Sequence, residues 1–90
     1  MKNQIKVLLE NQENVVEFVK LSSKYPCDVD IKSIKYNSVL DAKSILGVMS
    51  MDFNNPLIVE LNTEDNKIMD AFKQDIQKYI VEWGLNEVDD

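Results

Sequence analysis

Few side chains in this sequence are in a position to take up or pass on a chemical group. It has no histidine, a single cysteine, ten lysines without any arginine, and sixteen acidic residues. Without an imidazole, Ser44 has no general base to make it a nucleophile, and Lys43 beside it would not share its helix face, so a serine hydrolase finds no support. Cys27 falls on the apolar side of an alternating run and reads as a buried packing residue. Glu64-Asp65 reads as charge at a helix start, and Glu87 to Asp90 as a solvated tail. No Cys/His set and no EF-hand spacing is present, so neither a metal nor another cofactor is implied. What remains is Ser44 as a phosphate acceptor. It stands where a short helix would begin, near unpaired backbone N–H groups and the positive end of the helix dipole, where a phosphate is stabilised.

The residues after Ser44 give it company. Ile45, Leu46, Val48, Met49 and Met51 form a run too apolar all round for an ordinary surface helix and far too short to cross a membrane. Part of it must stay exposed, as an adaptable contact surface. The plainer reading stands beside this one: Ser44 only caps the helix and its apolar neighbours are core. Gly47 either permits the close approach of another backbone or merely loosens the turn.

The elements that position this stretch follow from periodicity. Ninety residues with 44% apolar content fit one globular domain over 1–90. Ile5, Val7 and Leu9 alternate as a first strand. Asn14 is a candidate helix cap with Glu17 completing a capping box, and Val15, Phe18, Val19 and Ser22 mark the inner face of a first helix ended by Pro26. Cys27, Val29 and Ile31 form a second strand and Ser38, Leu40 and Ala42 a third. The turn between them, Ser33 to Asn37, has no glycine to place it. After the short helix, Asp52 to Pro56 is a loop, and Leu57, Val59 and Leu61 are a fourth strand. Ile68, Met69, Phe72, Ile76, Tyr79, Ile80 and Trp83 recur at helical spacing in a last helix with Gly84 as its C-cap. The order is β-α-β-β-α-β-α, an α+β fold with an antiparallel sheet and its helices on one face.

Lys43-Ser44-Ile45-Leu46-Gly47-Val48-Met49-Ser50 resembles the regulatory-serine segment of the HPr family of the bacterial sugar phosphotransferase system, which includes the regulatory paralogue Crh. Phe18-Val19-Lys20, Ser23-Lys24-Tyr25 and Trp83-Gly84-Leu85 extend the resemblance over nearly the whole chain. It implies an open-faced β-sandwich of four strands in the order 1-4-2-3. It also implies where chemistry should sit. The family's phosphoacceptor histidine falls on Asn11, its arginine on Glu13 and a following proline on Asn14. A carboxamide has no basic nitrogen on which to carry phosphate, and Glu13 reverses the charge that would cradle it. In the family the serine matching Ser44 is phosphorylated by a dedicated kinase, and the residues matching Ile45, Leu46 and Met49 form a patch on which partners dock.

Three departures accompany the resemblance. The hairpin between the second and third strands is about two residues longer, an acid at Glu13 opposes phosphoserine reading, and Asp52 stands where the family often has glycine. The reading is therefore an HPr-like, non-enzymatic, protein-binding module without histidine phosphocarrier activity. Its expected partners are a serine kinase, a transcription regulator or components of the phosphotransferase system. The alternative is an HPr-fold structural or assembly protein recruited outside sugar transport, and an enzyme using carboxylate chemistry is a third. A net charge of −6 without arginine argues against nucleic acid, and the N-terminal apolar run is too short for a signal peptide. A cytoplasmic bacterial-type protein, monomeric or a weak homodimer through Met49, Met51 or Phe53, is expected.

Overall fold

The computed structural model describes residues 4–81. Its elements are β1 (Gln4–Val7), α1 (Gln12–Ser22), β2 (Val29–Ser33), β3 (Val39–Asp41), α2 (Ile45–Met49), β4 (Leu57–Leu61) and α3 (Asn66–Asp75), closed by a 3-10 turn at Gln77–Tyr79. The four strands form one antiparallel sheet in the order β1-β4-β2-β3. This is the open-faced α+β sandwich that the alternation and the resemblance anticipated.

The last strand in sequence is central in space. Val59 pairs with Ile5 on one side and Ile31 on the other. Alternate residues of these strands turn to one face, where Val7, Val29, Ile31, Val59 and Leu61 are buried with Val15 and Phe18 of α1 and Phe72 and Ile76 at the α3 end. On the other face Ile58 lies in register between Lys6 and Lys32, and Lys32 reaches Glu60 at 4.0 Å.

Several boundaries differ from the sequence expectation. The cap of α1 lies three residues before the expected one: Asn11 is the N-cap, its side-chain oxygen accepting from the Asn14 amide at 2.8 Å. Asn14 instead donates its carboxamide to the Leu9 carbonyl at 2.7 Å. Glu17 does not close a capping box either, because the Tyr79 hydroxyl and the Lys78 ammonium hold it. Cys27 lies in the bend after Pro26 rather than in β2, half-buried against the core. The turn without glycine is made by Asn37, which takes a left-handed φ of 58°. The Ser33 hydroxyl accepts from the Tyr36 amide inside the same turn.

The largest departure is at the last helix, which ends at Asp75 rather than running on toward Trp83. The backbone tightens into the 3-10 turn, and Ile80 then forms an antiparallel bridge with Val7. Leu8 N–H donates to the Tyr79 carbonyl at 2.8 Å, and Val81 N–H to the Lys6 carbonyl at 2.9 Å. Satisfying the open edge of β1 outweighs the helical spacing of Tyr79 and Ile80. Trp83 and Gly84, read from sequence as the end of this helix, lie outside the described residues.

Candidate functional site

Helix α2 exists because Ser44 caps it. The Ser44 backbone is extended, its Oγ accepts from the Gly47 amide at 3.2 Å, and its carbonyl accepts from the Val48 amide at 3.0 Å. A Cβ added at Gly47 would stand 3.3 Å from the Ser44 Oγ. Glycine at 47 therefore keeps the space beside the hydroxyl open.

The apolar run divides between core and solvent. Val48 is fully buried, Met51 is buried, and Met49 and Phe53 are half-buried against the core. Leu46, by contrast, is 80% exposed and Ile45 40%. Of the residues expected to dock a partner, Ile45 and Leu46 thus stand free while Met49 is shared with the interior. Met51 is not available as an exposed dimer contact.

Two hydrogen bonds fix how α2 lies against α1. The Glu10 N–H donates to the Phe53 carbonyl at 2.8 Å, which ties the start of α1 to the chain leaving α2. The Lys43 ammonium donates to the Tyr25 carbonyl at 2.5 Å, which ties the start of α2 to the exit of α1. The two helices therefore run antiparallel. Asn11 and Glu13, both exposed, sit at the end closed by Phe53, and Ser44 sits at the end closed by Tyr25. Glu10, just before Asn11, takes a left-handed φ of 76°, a conformation uncommon for a residue with a Cβ.

Two tyrosine–carboxylate pairs brace the helices behind this site. The Tyr25 hydroxyl donates to Asp75, which Lys24 also approaches at 3.2 Å, and the Tyr25 ring meets Phe72 edge-on at 5.3 Å. Burial, and then the Asp75 carboxylate, push the Tyr25 phenol up to about 12. Burial and Glu17 likewise push Tyr79 above its ordinary value. The Tyr79 hydroxyl, and then Lys78, hold Glu17 below the usual glutamate range. The Tyr25 hydroxyl, and then Lys24, do the same for Asp75. No local spacing announces these pairs, which join residues 50 and 62 positions apart; by spacing Tyr79 reads only as one more residue of a helical apolar face.

No group of three or more acidic, cysteine or histidine side chains among the described residues is placed to hold a metal. No described helix is long and apolar enough to cross a membrane.

An antiparallel open-faced sandwich with a capped serine on a short helix between its third and fourth strands defines a phosphocarrier-type scaffold. Residues 13–80 match the family model described as the PTS HPr component phosphorylation site. The chain belongs to the HPr family, a family of phosphocarrier-type proteins related to the phosphotransferase system. Solved structures of the same fold include HPr from Thermoanaerobacter tengcongensis, with a TM-score of 0.65 and 21% identity over 87% of this chain and 93% of that one. HPr from Bacillus anthracis gives 0.62 and 20% over 82% of this chain and 95% of that one. Crh from Bacillus subtilis, described as a swapped dimer, gives 0.55 and 18% over 87% and 88%. No curated protein sequence matches the chain.

Proposed function

We propose that this HPr-family protein has no histidine phosphocarrier activity and acts as a regulatory protein-binding module linked to the sugar phosphotransferase system and carbon catabolite control. The observation that carries the proposal is chemical: the family scaffold is kept in a chain that contains no histidine. The resemblance assigns the acceptor position to Asn11, two residues before the span matched by the family model. Its carboxamide has no basic nitrogen to form a phosphoramidate. Its oxygen is already engaged as the cap of α1. Glu13 places a carboxylate, exposed in the first turn, where the resemblance expects an arginine.

In this reading Ser44 is the regulatory phosphorylation site and Ile45, Leu46 and Met49 are the partner contact. The exposure of Ile45 and Leu46 and the open space at Gly47 support that assignment. A phosphate on Ser44 adds about −1.5 to −2 charges beside an apolar surface, a signal that a partner can read. Partners are a serine kinase, a transcription regulator or other phosphotransferase-system proteins, and the protein works in the cytoplasm as a monomer or weak homodimer.

Incubation with phosphoenolpyruvate, the first enzyme of the system and a histidine-bearing HPr tests the negative half. The chain remains unlabelled, and an acid-labile phosphate on it overturns the proposal. Incubation with the serine kinase and ATP tests the positive half by mass spectrometry. A phosphate at Ser44 that disappears in Ser44→Ala supports the assignment, and a phosphate unaffected by that change refutes it.

A further inference from the structure

We infer that residues 82–90 lie across the open face of the sheet, over Lys6 and Ile58, with their acidic side chains along its two lysines. The strand register sets one row of side chains across that face. Lys6 stands opposite Ile58, Ile58 opposite Lys32, and Lys32 opposite Val39. Val81, whose N–H donates to the Lys6 carbonyl, extends the row beyond β1. Apolar and cationic side chains thus alternate from one edge of the sheet to the other.

This face should be open to solvent, because the inner residues of α1 and α3 pack on the opposite one. Lys6 is nevertheless only 8% exposed and Ile58 6%, whereas Ile34 and Val39, toward the β3 edge, are more than half exposed. Neighbours within a sheet stand beside such side chains, and burial of a lysine to this depth needs a partner over it. The cover therefore lies at the side where the chain leaves Val81.

The segment that follows Val81 suits this place in reach and in chemistry. It starts beside Lys6, its nine residues span up to about 30 Å when extended, and the row from Val81 to Val39 is roughly 19 Å across. Trp83, Leu85 and Val88 are apolar, Glu82, Glu87, Asp89 and Asp90 are acidic, and the segment has no lysine. The adjacent row of the same face, Gln4, Glu60, Asp30 and Asp41, is mostly acidic, so like charge keeps the segment on the lysine row. Beyond Ile58 a cavity of about 260 Å³ between Gln4, Lys32, Ile34 and Asn37 has room for one of the apolar side chains. Residues 1–3 fit less well, since Lys2 is a cation and three residues are too few to cross the face. Closed in this way, the sheet face is withdrawn from other proteins.

Trp83 is the single tryptophan and reports on the segment in the whole protein. In the unaltered chain, nuclear Overhauser contacts from the Trp83 ring or the Leu85 and Val88 methyls to the Lys6 and Ile58 side chains are expected. Acrylamide should quench Trp83 severalfold less than it quenches the free peptide 82–90. Contacts to the helices instead, or quenching equal to that of the peptide, overturn the inference. Contacts found only between labelled and unlabelled chains in a mixed sample make a second copy the occupant and also overturn it, as do contacts from Met1 in place of the segment. Lys6→Glu and Lys32→Glu together should raise quenching to the peptide's level, while Lys6→Arg and Lys32→Arg together keep the protection. Quenching unchanged by the charge reversal overturns the path along the lysine row. Circular dichroism checks that each variant folds, and the contacts in the unaltered chain decide the matter should the reversed one not fold.

Discussion

The Tyr79 hydroxyl donates to the Glu17 carboxylate, fastening the 3-10 turn after α3 to the flank of α1. Tyr25 and Asp75 repeat the arrangement between the exit of α1 and the end of α3. Both carboxylates lie below their ordinary values of 4.5 and 3.8. Their contribution to stability is present above those values and is lost as pH falls through the lower folded ones. The Tyr25 phenol is raised from 10.0 to about 12, so its contribution is present below 10.0 and is lost as pH rises toward about 12. Thermal unfolding followed by circular dichroism should show a midpoint that is level from about pH 5 to about pH 10 and falls on both sides. Glu17→Gln and Asp75→Asn together should flatten the acid limb, and an unchanged acid limb would show that the pairs do not contribute.

Ser22 is buried at the inner face of α1, and its hydroxyl meets no hydrogen-bond partner. A buried hydroxyl without a partner costs about 1–3 kcal/mol, and alanine is also the better helix former. Ser22→Ala should raise the free energy of unfolding by about 1 kcal/mol, measured by urea denaturation with an unchanged slope. A loss of stability would show that the hydroxyl is satisfied in solution.

Asn11 caps α1 through the Asn14 amide. Asn11→Ala should cost about 1 kcal/mol, whereas Asn11→Asp, which keeps the accepting oxygen and adds a charge at the helix start, should cost little. Equal loss in both variants would mean that the cap is not what Asn11 contributes.

Leu46 and Val48 are two residues apart on one short helix and differ most in exposure. Leu46→Ser should change stability by no more than about 0.5 kcal/mol and remove partner binding. Val48→Ala should cost about 2 kcal/mol from lost burial and the cavity left behind. Denaturation of the two variants side by side separates surface from core. A large stability loss at Leu46 would place it in the interior.

The strands were legible because their apolar residues alternate with polar ones toward a single buried face, as at Leu57, Val59 and Leu61. The Ser44 cap was legible because serine before an apolar run has a local meaning. Where sequence reading went astray, a longer-range partner had intervened. Asn14 and Glu17 have capping spacing, yet the Leu9 carbonyl claims one, and Tyr79 and Lys78 claim the other. Tyr79 and Ile80 keep helical spacing, yet the unpaired edge of β1 draws them out of the helix. Periodicity also had no means of telling Leu46 from Val48, since both are apolar and only packing sorts them.

Strand β4 joins β1 and β2, which have no contact in the sheet without it. During synthesis on a ribosome, both earlier strands emerge well before the one that must slide between them. A nascent chain released before Leu57 lacks the central strand, which leaves β1 unpaired and one edge of the β2–β3 hairpin open to a neighbour. Assembly of the complete four-stranded sheet therefore waits until β4 has been translated.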